Sequence, residues 1–280
     1  MPSVTLVDRA YVAVSGEEAD HFLQGLVTCD VMGLEAGVCQ TGALLTPQGK
    51  IMFEFLISRT ADGFLFEIAA DQAEAFAKRL AMYKLRAKVT ITRLADHSTT
   101  VTWDDNGPEG AVEDGRFKRA GVALYRTCGD LGAADATPYH QLRIAHGIAE
   151  AGTDFPLQDA FPHDALYDLS GGVSFRKGCY VGQEVVSRMQ HRSTARRRIV
   201  IVDAASPLHG SGTALTINGR EIGRLGSVSG KQGLAIARID RIGEALANGQ
   251  AIQAGDIEVS VRLPGWSGLE FPASADEAEA

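Results

Sequence analysis

The strongest constraint on the fold lies in the last third of the chain, where short strand candidates follow one another closely. Asn218-Gly219 stands between two of them and is a favoured two-residue hairpin turn. Short strands separated by Gly-rich turns are typical of a small β-barrel or sandwich. The five candidates are residues 198–202, 214–217, 221–228, 234–239 and 257–263. The sequence therefore predicts a carboxy-terminal barrel over residues 193–268, followed by a disordered tail over residues 269–280.

The residues before the barrel mix helix and strand signals. Residues 50–58 (KIMFEFLIS) and 64–68 are strand candidates, and Asp62-Gly63 between them predicts a hairpin turn. Ser15 and Glu18 have capping-box spacing ahead of apolar positions on one helical face. Thr137-Pro138 and Gln183 open two further helix candidates. This mixture predicts an α+β region over residues 1–192.

Composition and cysteine spacing exclude several classes of protein. The formal net charge of −8 argues against general nucleic-acid binding, and we identify neither a secretory signal nor a membrane-spanning segment. We therefore expect a cytoplasmic protein. The four cysteines lack CxxC spacing, so the sequence predicts neither a metal site nor an iron–sulfur cluster held by a local motif.

A local cationic segment contrasts with the acidic whole. Residues 176–198 hold seven Lys and Arg residues against Glu184 alone. A cationic patch on an acidic protein favours a specific anionic ligand. The run at 196–198 also fits a solvated strand edge, which discourages aggregation.

Cys179 is the cysteine placed for reactivity. Arg176 and Lys177 precede it and a helix candidate follows, and both features favour a thiolate over a thiol. Gly178 and Gly182 flank the cysteine and permit a tight turn. The alternative is a buried structural cysteine, since free Cys is often a small core residue. Cys29, Cys39 and Cys128 lack such a setting and are expected to be structural.

The segment KGCYVGQE at residues 177–184 resembles the signature of YgfZ-type folate-binding iron–sulfur cluster assembly and repair proteins, relatives of the glycine-cleavage aminomethyltransferase. Further blocks that look like this family occur in the same order along the chain. They are FLQGLVTCDV at 22–31, LLTPQGK at 44–50, YKLRAKV at 83–89 and VVSR at 185–188. The resemblance covers nearly the whole chain and weakens over residues 99–136 and at the tail.

This resemblance implies an aminomethyltransferase-like α+β fold with three modules around a folate pocket. Two interleaved amino-terminal modules, the inner one at about residues 45–110, would precede the small barrel. The implied cofactor is tetrahydrofolate or a one-carbon derivative. Arg and Lys side chains can form ion pairs with the glutamate carboxylates of a folate. The implied partners are iron–sulfur client or assembly proteins, with a link to tRNA modification, and we expect a monomer.

The same resemblance implies a set of site residues. Cys179 would be the reactive thiol, and Tyr180 would offer an aromatic face to the pterin or its benzoate linker. The expected folate-binding residues are Lys177, Tyr180, Gln183, Glu184, Arg188, Arg143 and Asp164.

One departure separates the chain from the aminomethyltransferase branch. Where that enzyme has a G-G-x-x-D-D strand, this chain reads GKIMFE at 49–54, which leaves only Glu54 as an acidic residue. A glycine-cleavage role is therefore not expected, and whether the protein is an enzyme stays open. Two alternatives remain: a folate-dependent one-carbon transferase that depends on Glu54 or Asp164, and a module that docks RNA through residues 176–198.

Overall fold

The computed structural model describes residues 2–94, 98–104, 106–192 and 195–272. Within them the strands are β1 (Ser3–Leu6), β2 (Arg9–Ser15), β3 (Val38–Leu45), β4 (Ile51–Thr60), β5 (Gly63–Ala69), β6 (Thr90–Arg93), β7 (Thr99–Trp103), β8 (Val112–Asp114), β9 (Leu124–Cys128), β10 (Arg197–Ala204), β11 (Ala214–Ile217), β12 (Arg220–Ser229), β13 (Gln232–Arg238), β14 (Ile252–Ala254) and β15 (Ile257–Arg262). The helices are α1 (Ala19–Gln24), α2 (Ala73–Lys84), α3 (Gly115–Arg119), α4 (Thr137–Ala145), α5 (Tyr167–Ser170), α6 (Gln183–His191) and α7 (Ile239–Ala247).

The chain divides into two compact units, each built from two segments. Unit 1 comprises Met1–Tyr139 and Asp168–Gln183, and unit 2 comprises His140–Tyr167 and Glu184–Ala280. The chain therefore passes from one unit to the other three times, within α4, within α5 and at the start of α6. The expected division into three modules, with an inner module at about residues 45–110, stays a prediction.

Unit 1 is built on a nine-stranded sheet in the order β1-β7-β9-β8-β3-β4-β5-β2-β6. The predicted hairpin at Asp62-Gly63 is confirmed, because β4 and β5 pair antiparallel around it. Four phenylalanines, Phe53, Phe55, Phe66 and Phe76, form the centre of the core. Their ring centroids lie 4.9 to 5.5 Å apart in tilted and edge-on pairs, the arrangement that aromatic quadrupoles favour.

Unit 2 contains a closed barrel in the order β10-β13-β12-β11-β14-β15. The barrel prediction is confirmed, and Asn218-Gly219 forms the turn between β11 and β12 with φ values of +50° and +76°. Five of these six strands were predicted from the sequence, whereas β14 and helix α7 were not. Helix α7 begins directly after β13 and buries Ile239, Ile242 and Ala245 at helical spacing, whereas the predicted strand at 234–239 included Ile239, the first residue of this helix.

The predicted capping box is wrong. Glu18 occupies the N-cap position of α1 without a side-chain cap, and its carboxylate instead accepts a hydrogen bond from the Lys88 amide at 2.6 Å. Of the predicted tail, residues 273–280 lie outside the described residues. No helix in the described part of the chain is long and apolar enough to cross a membrane.

Candidate functional site

The loop between α5 and α6 contains residues 177–182 of the KGCYVGQE segment and is anchored to unit 1 at several points. The first anchor is Thr28, whose fully buried hydroxyl donates to Gly172 O at 2.5 Å. The Ser174 amide donates to Thr28 O at 2.9 Å. Thr28 Oγ1 also accepts from the Ala43 amide of β3 at 2.9 Å. One threonine thus joins the start of the loop to the central sheet.

Lys177 provides the second anchor. Its Nζ donates to Val27 O and to Cys29 O, both at 2.7 Å, and lies 5.3 Å from the Tyr180 ring centroid. Burial lowers the pKa of Lys177 to about 8, against the opposing effects of Cys29 and Asp30. Burial also raises the pKa of the Cys29 thiol to about 12, although Lys177 acts in the opposite direction. The lysine therefore fastens the loop, and its expected contact with folate carboxylates stays a prediction.

Tyr180 and Gly182 form the third anchor. Tyr180 is only 7% exposed, burial raises the pKa of its phenol, and its hydroxyl has no hydrogen-bond partner among the described residues. Val181 packs against the core of unit 1. Gly182 has φ of +80°, and a Cβ there would lie 2.6 Å from Thr46 O. Only glycine allows this approach to the β3–β4 turn.

Cys179 lies between these anchors and is exposed. The alternative of a buried structural cysteine is therefore wrong for this residue. Cys29 and Cys39 are buried as expected, whereas Cys128, also predicted to be structural, is exposed. The loop consequently presents one thiol to solvent from a backbone that is fixed on both sides.

Three predicted residues lie on α6. Glu184 and Arg188 form an ion pair at 2.8 Å in which the side chains are 86% and 55% exposed. The two side chains therefore partly neutralise each other's charge on the exposed face of the helix. The Gln183 amide donates to Tyr180 O at 3.3 Å and starts the helix directly after the anchored loop.

Arg143 and Asp164 are buried within unit 2. The Arg143 guanidinium donates to Asp154 Oδ2 at 2.6 Å and to the Ser227 hydroxyl, and it lies 3.6 Å from Glu150. These contacts hold Arg143 within unit 2, and its expected role in folate binding stays a prediction.

Asp164 has a comparable setting. Its Oδ2 accepts from the Phe161 amide at 3.0 Å and lies 3.8 Å from Arg197 Nε. Asp164 O accepts from the Ile199 amide at 2.8 Å, so this residue joins the 140–167 segment to β10. Its suggested pocket role stays a prediction.

The basic segment over residues 176–198 is partly neutralised. Arg197 Nη2 pairs with Asp159 at 3.2 Å, and Arg198 is buried and donates to His163 O at 2.8 Å. Together with the Glu184–Arg188 pair, these contacts leave fewer cations for a polyanion than the sequence indicated.

Within the part of the chain that the structure describes, no group of three His, Cys, Asp or Glu side chains is arranged to hold a metal ion.

Comparison with known proteins identifies similarity along most of the chain. A family model described as the carboxy-terminal β-barrel domain of CAF17 matches residues 196–269. The mitochondrial iron–sulfur cluster assembly factor IBA57 homolog of Pyricularia oryzae is 31% identical over 90% of this chain and 76% of its own length. The mouse mitochondrial IBA57 protein is 30% identical over 84% of this chain and 76% of its own. The human protein is 28% identical over 92% and 83%.

A solved structure confirms the predicted fold. The glycine cleavage system aminomethyltransferase T from Bartonella henselae superposes with a TM-score of 0.71 over 96% of this chain and 87% of its own. The sequence identity of 14% supports likeness of fold alone. The relatives above are named mitochondrial, which contradicts the cytoplasmic location that the sequence predicted.

Proposed function

Because the chain belongs to the family of IBA57 iron–sulfur cluster assembly factors, we propose that it supports iron–sulfur assembly through the thiol of Cys179. The observation that carries this proposal is the exposure of Cys179 on a loop anchored on both sides. A fixed backbone presents the sulfur in one position, which lowers the entropy lost when a partner or cluster binds.

The proposed chemistry follows from a single accessible thiol. Thiolates ligate iron and attack disulfide or persulfide sulfur, and iron–sulfur clusters generally take four protein ligands. One cysteine supplies one of these ligands, so the others come from a client or assembly protein. Cys179 therefore acts during transfer or repair, and the cluster is cargo rather than a resident cofactor.

The finer part of the proposal is that the chain binds a reduced folate. The buried Tyr180 hydroxyl without a partner among the described residues supports a polar ligand next to the motif. Arg143 stays a predicted folate-binding residue, although its guanidinium is engaged by Asp154 and Ser227 within unit 2. When bound, a reduced folate would supply one-carbon chemistry. Titration with tetrahydrofolate tests the idea, and Tyr180→Phe should weaken binding while preserving the ring.

The test of the assembly role is a rescue assay in cells that lack this protein. The activity of a four-iron-cluster enzyme is measured with the wild-type chain, Cys179→Ala and Cys128→Ala. Cys128 is the matched control, because it is the other exposed cysteine among the four. We expect wild type and Cys128→Ala to restore activity and Cys179→Ala to fail at equal protein abundance.

Other outcomes of the same assay are equally informative. Full rescue by Cys179→Ala would refute a role for the thiol and leave the folate proposal to stand separately. Failure of the wild-type chain would refute the assembly role itself in that cell.

A further inference from the structure

The two edges of the nine-stranded sheet differ. Edge strand β1 is covered, because the Thr5 amide donates to Ala133 O at 2.7 Å and the Ala133 amide donates to Ser3 O at 3.0 Å. Edge strand β6 pairs with β2 on its inner side. Within the residues that the structure describes, no segment bonds its outer side. An open edge presents main-chain N–H and C=O groups that match another extended chain.

Two large apolar side chains are exposed close to β6 in the sequence. Met82 is 68% exposed and Leu85 is 89% exposed, at the end of helix α2, which packs against β6. Leu85 also has φ of +45° and ψ of −104°, a backbone conformation that residues with a Cβ rarely adopt. Strained backbone clusters at ligand clamps and switch regions, so the conformation of Leu85 supports a binding role for this exposed residue.

The sequence that leads into β6 is rich in cations. Residues 75–93 contain six Lys and Arg residues and no Asp or Glu. Lys78 pairs with Glu74 at 2.6 Å and Lys88 pairs with Glu17 at 2.9 Å. The other four, which are Arg79, Lys84, Arg86 and Arg93, form no ion pair with the described residues. Arg93 still acts on Glu74 through space, so the excess positive charge rests mainly on Arg79, Lys84 and Arg86, and it favours an acidic partner.

We propose that the β6 edge, together with Met82, Leu85 and these four cations, docks an acidic extended segment of a partner protein. The segment would add beside β6 as a further strand, with its apolar side chains on Met82 and Leu85 and its carboxylates on the cations. This surface is additional to the Cys179 loop and its use does not depend on the thiol.

The open edge favours a polypeptide over other polyanions. Nucleic acids and anionic lipid surfaces satisfy the cations, but neither offers alternating N–H and C=O groups at the spacing of a β-strand. Protection of β6 amides on binding is therefore the signature that separates strand addition from charge attraction.

The test uses the full chain and a short fluorescein-labelled, capped peptide of alternating Glu and Val. Fluorescence anisotropy should show binding of this peptide and little binding of its Lys-Val counterpart. Amide hydrogen exchange should slow at residues 90–93 when the Glu-Val peptide is present. Equal binding of the two peptides, or binding without protection at β6, would overturn the proposal.

Variants sharpen the test. Lys84→Glu combined with Arg86→Glu should weaken binding about tenfold or more, whereas Arg220→Glu, an exposed cation on the barrel, should leave it unchanged. Leu85→Gly should weaken binding without loss of folding, because glycine accepts the positive φ. Cys179→Ala should bind as wild type does. Unchanged binding by the double variant and by Leu85→Gly would reject this surface.

Discussion

Lys177 is held in a setting that few lysines occupy, with its ammonium largely withdrawn from water and donating to two main-chain carbonyls. Burial destabilises the charged ammonium and so lowers its pKa, and the hydrogen bonds to the two carbonyls offset part of this destabilisation. The neutral amine still has two hydrogens for the same two acceptors. The anchor therefore persists in both protonation states, and its charge is a burden on stability rather than a requirement.

Lys177→Met should lower the free energy of unfolding by about 2 kcal/mol at pH 7, because two carbonyls lose their donor. Urea denaturation measures the change, and Arg176→Met, on the exposed neighbour, should stay within about 0.5 kcal/mol of wild type. The unfolded lysine holds its proton to about pH 10.4, whereas the folded one loses it near pH 8. Wild-type stability should therefore rise between pH 8 and 10 relative to Lys177→Met. Parallel pH profiles would contradict the burial of this amine.

The four thiols should separate by reactivity. Burial raises the pKa of Cys39, with Asp114 adding to the effect, and burial places that of Cys29 at about 12. Both should resist N-ethylmaleimide in the native protein at pH 7 and react after unfolding. Burial also raises the pKa of Cys128, helped by Glu67, so exposed Cys179 should react first. Peptide mass spectrometry over time gives the order, and early labelling of Cys39 would argue against the described core.

At the scale of elements, the site depends on how closely the motif loop approaches the β3–β4 turn. Thr46 and Lys50 close that turn through the Thr46 amide and Lys50 O at 2.8 Å. Gly182 packs against it with a positive φ, so the turn limits where the loop can lie. The two glycines that flank the cysteine thus differ in role: Gly182 is required by contact, whereas a Cβ at Gly178 would meet nothing within 4 Å.

Gly182→Ala should therefore cost at least about 2 kcal/mol of stability, from the left-handed φ and from the clash with Thr46 O. Gly178→Ala is the matched control in the same motif and should be nearly neutral. Thermal denaturation compares them, and amide exchange at residues 172–182 should accelerate in Gly182→Ala alone. An equal effect of the two substitutions would mean that the loop is not held by this contact.

Features set by neighbouring residues could be predicted from the sequence, and features set by distant residues could not. The Asn218-Gly219 turn and the start of α6 at Gln183 depend on local chemistry. The Thr28–Gly172 and Lys177–Val27 contacts join residues 144 and 150 positions apart. Sequence patterns identify a reactive cysteine between glycines, but they do not show which groups anchor its loop.

At the scale of the whole molecule, residues 140–167 belong to unit 2, the unit that contains the barrel. The sequence predicts them to be part of the α+β region at residues 1–192. Asp154 explains this assignment. Its Oδ1 accepts from the Ser227 amide of β12 at 2.8 Å, while its Oδ2 accepts from Arg143. A Cβ at Gly226 would lie 2.5 Å from Asp154 Cα, so the segment contacts the barrel closely. Arg143, which the sequence suggests as a ligand-binding residue, thus helps to join this segment to the barrel.

Arg143→Met should lower the stability of unit 2 by about 3–5 kcal/mol, because Asp154 and Glu150 would stay buried without their cation. The two tryptophans allow the effect to be located, since Trp103 lies in unit 1 and Trp266, which donates to His146 O at 2.8 Å, lies in unit 2. In a Trp103→Phe background, Trp266 fluorescence should report an earlier urea transition for Arg143→Met. Arg241→Met, which removes an exposed pair with Glu244, should leave the transition in place. If Arg143→Met behaved like that control and weakened tetrahydrofolate binding instead, the arginine would belong to the ligand site after all.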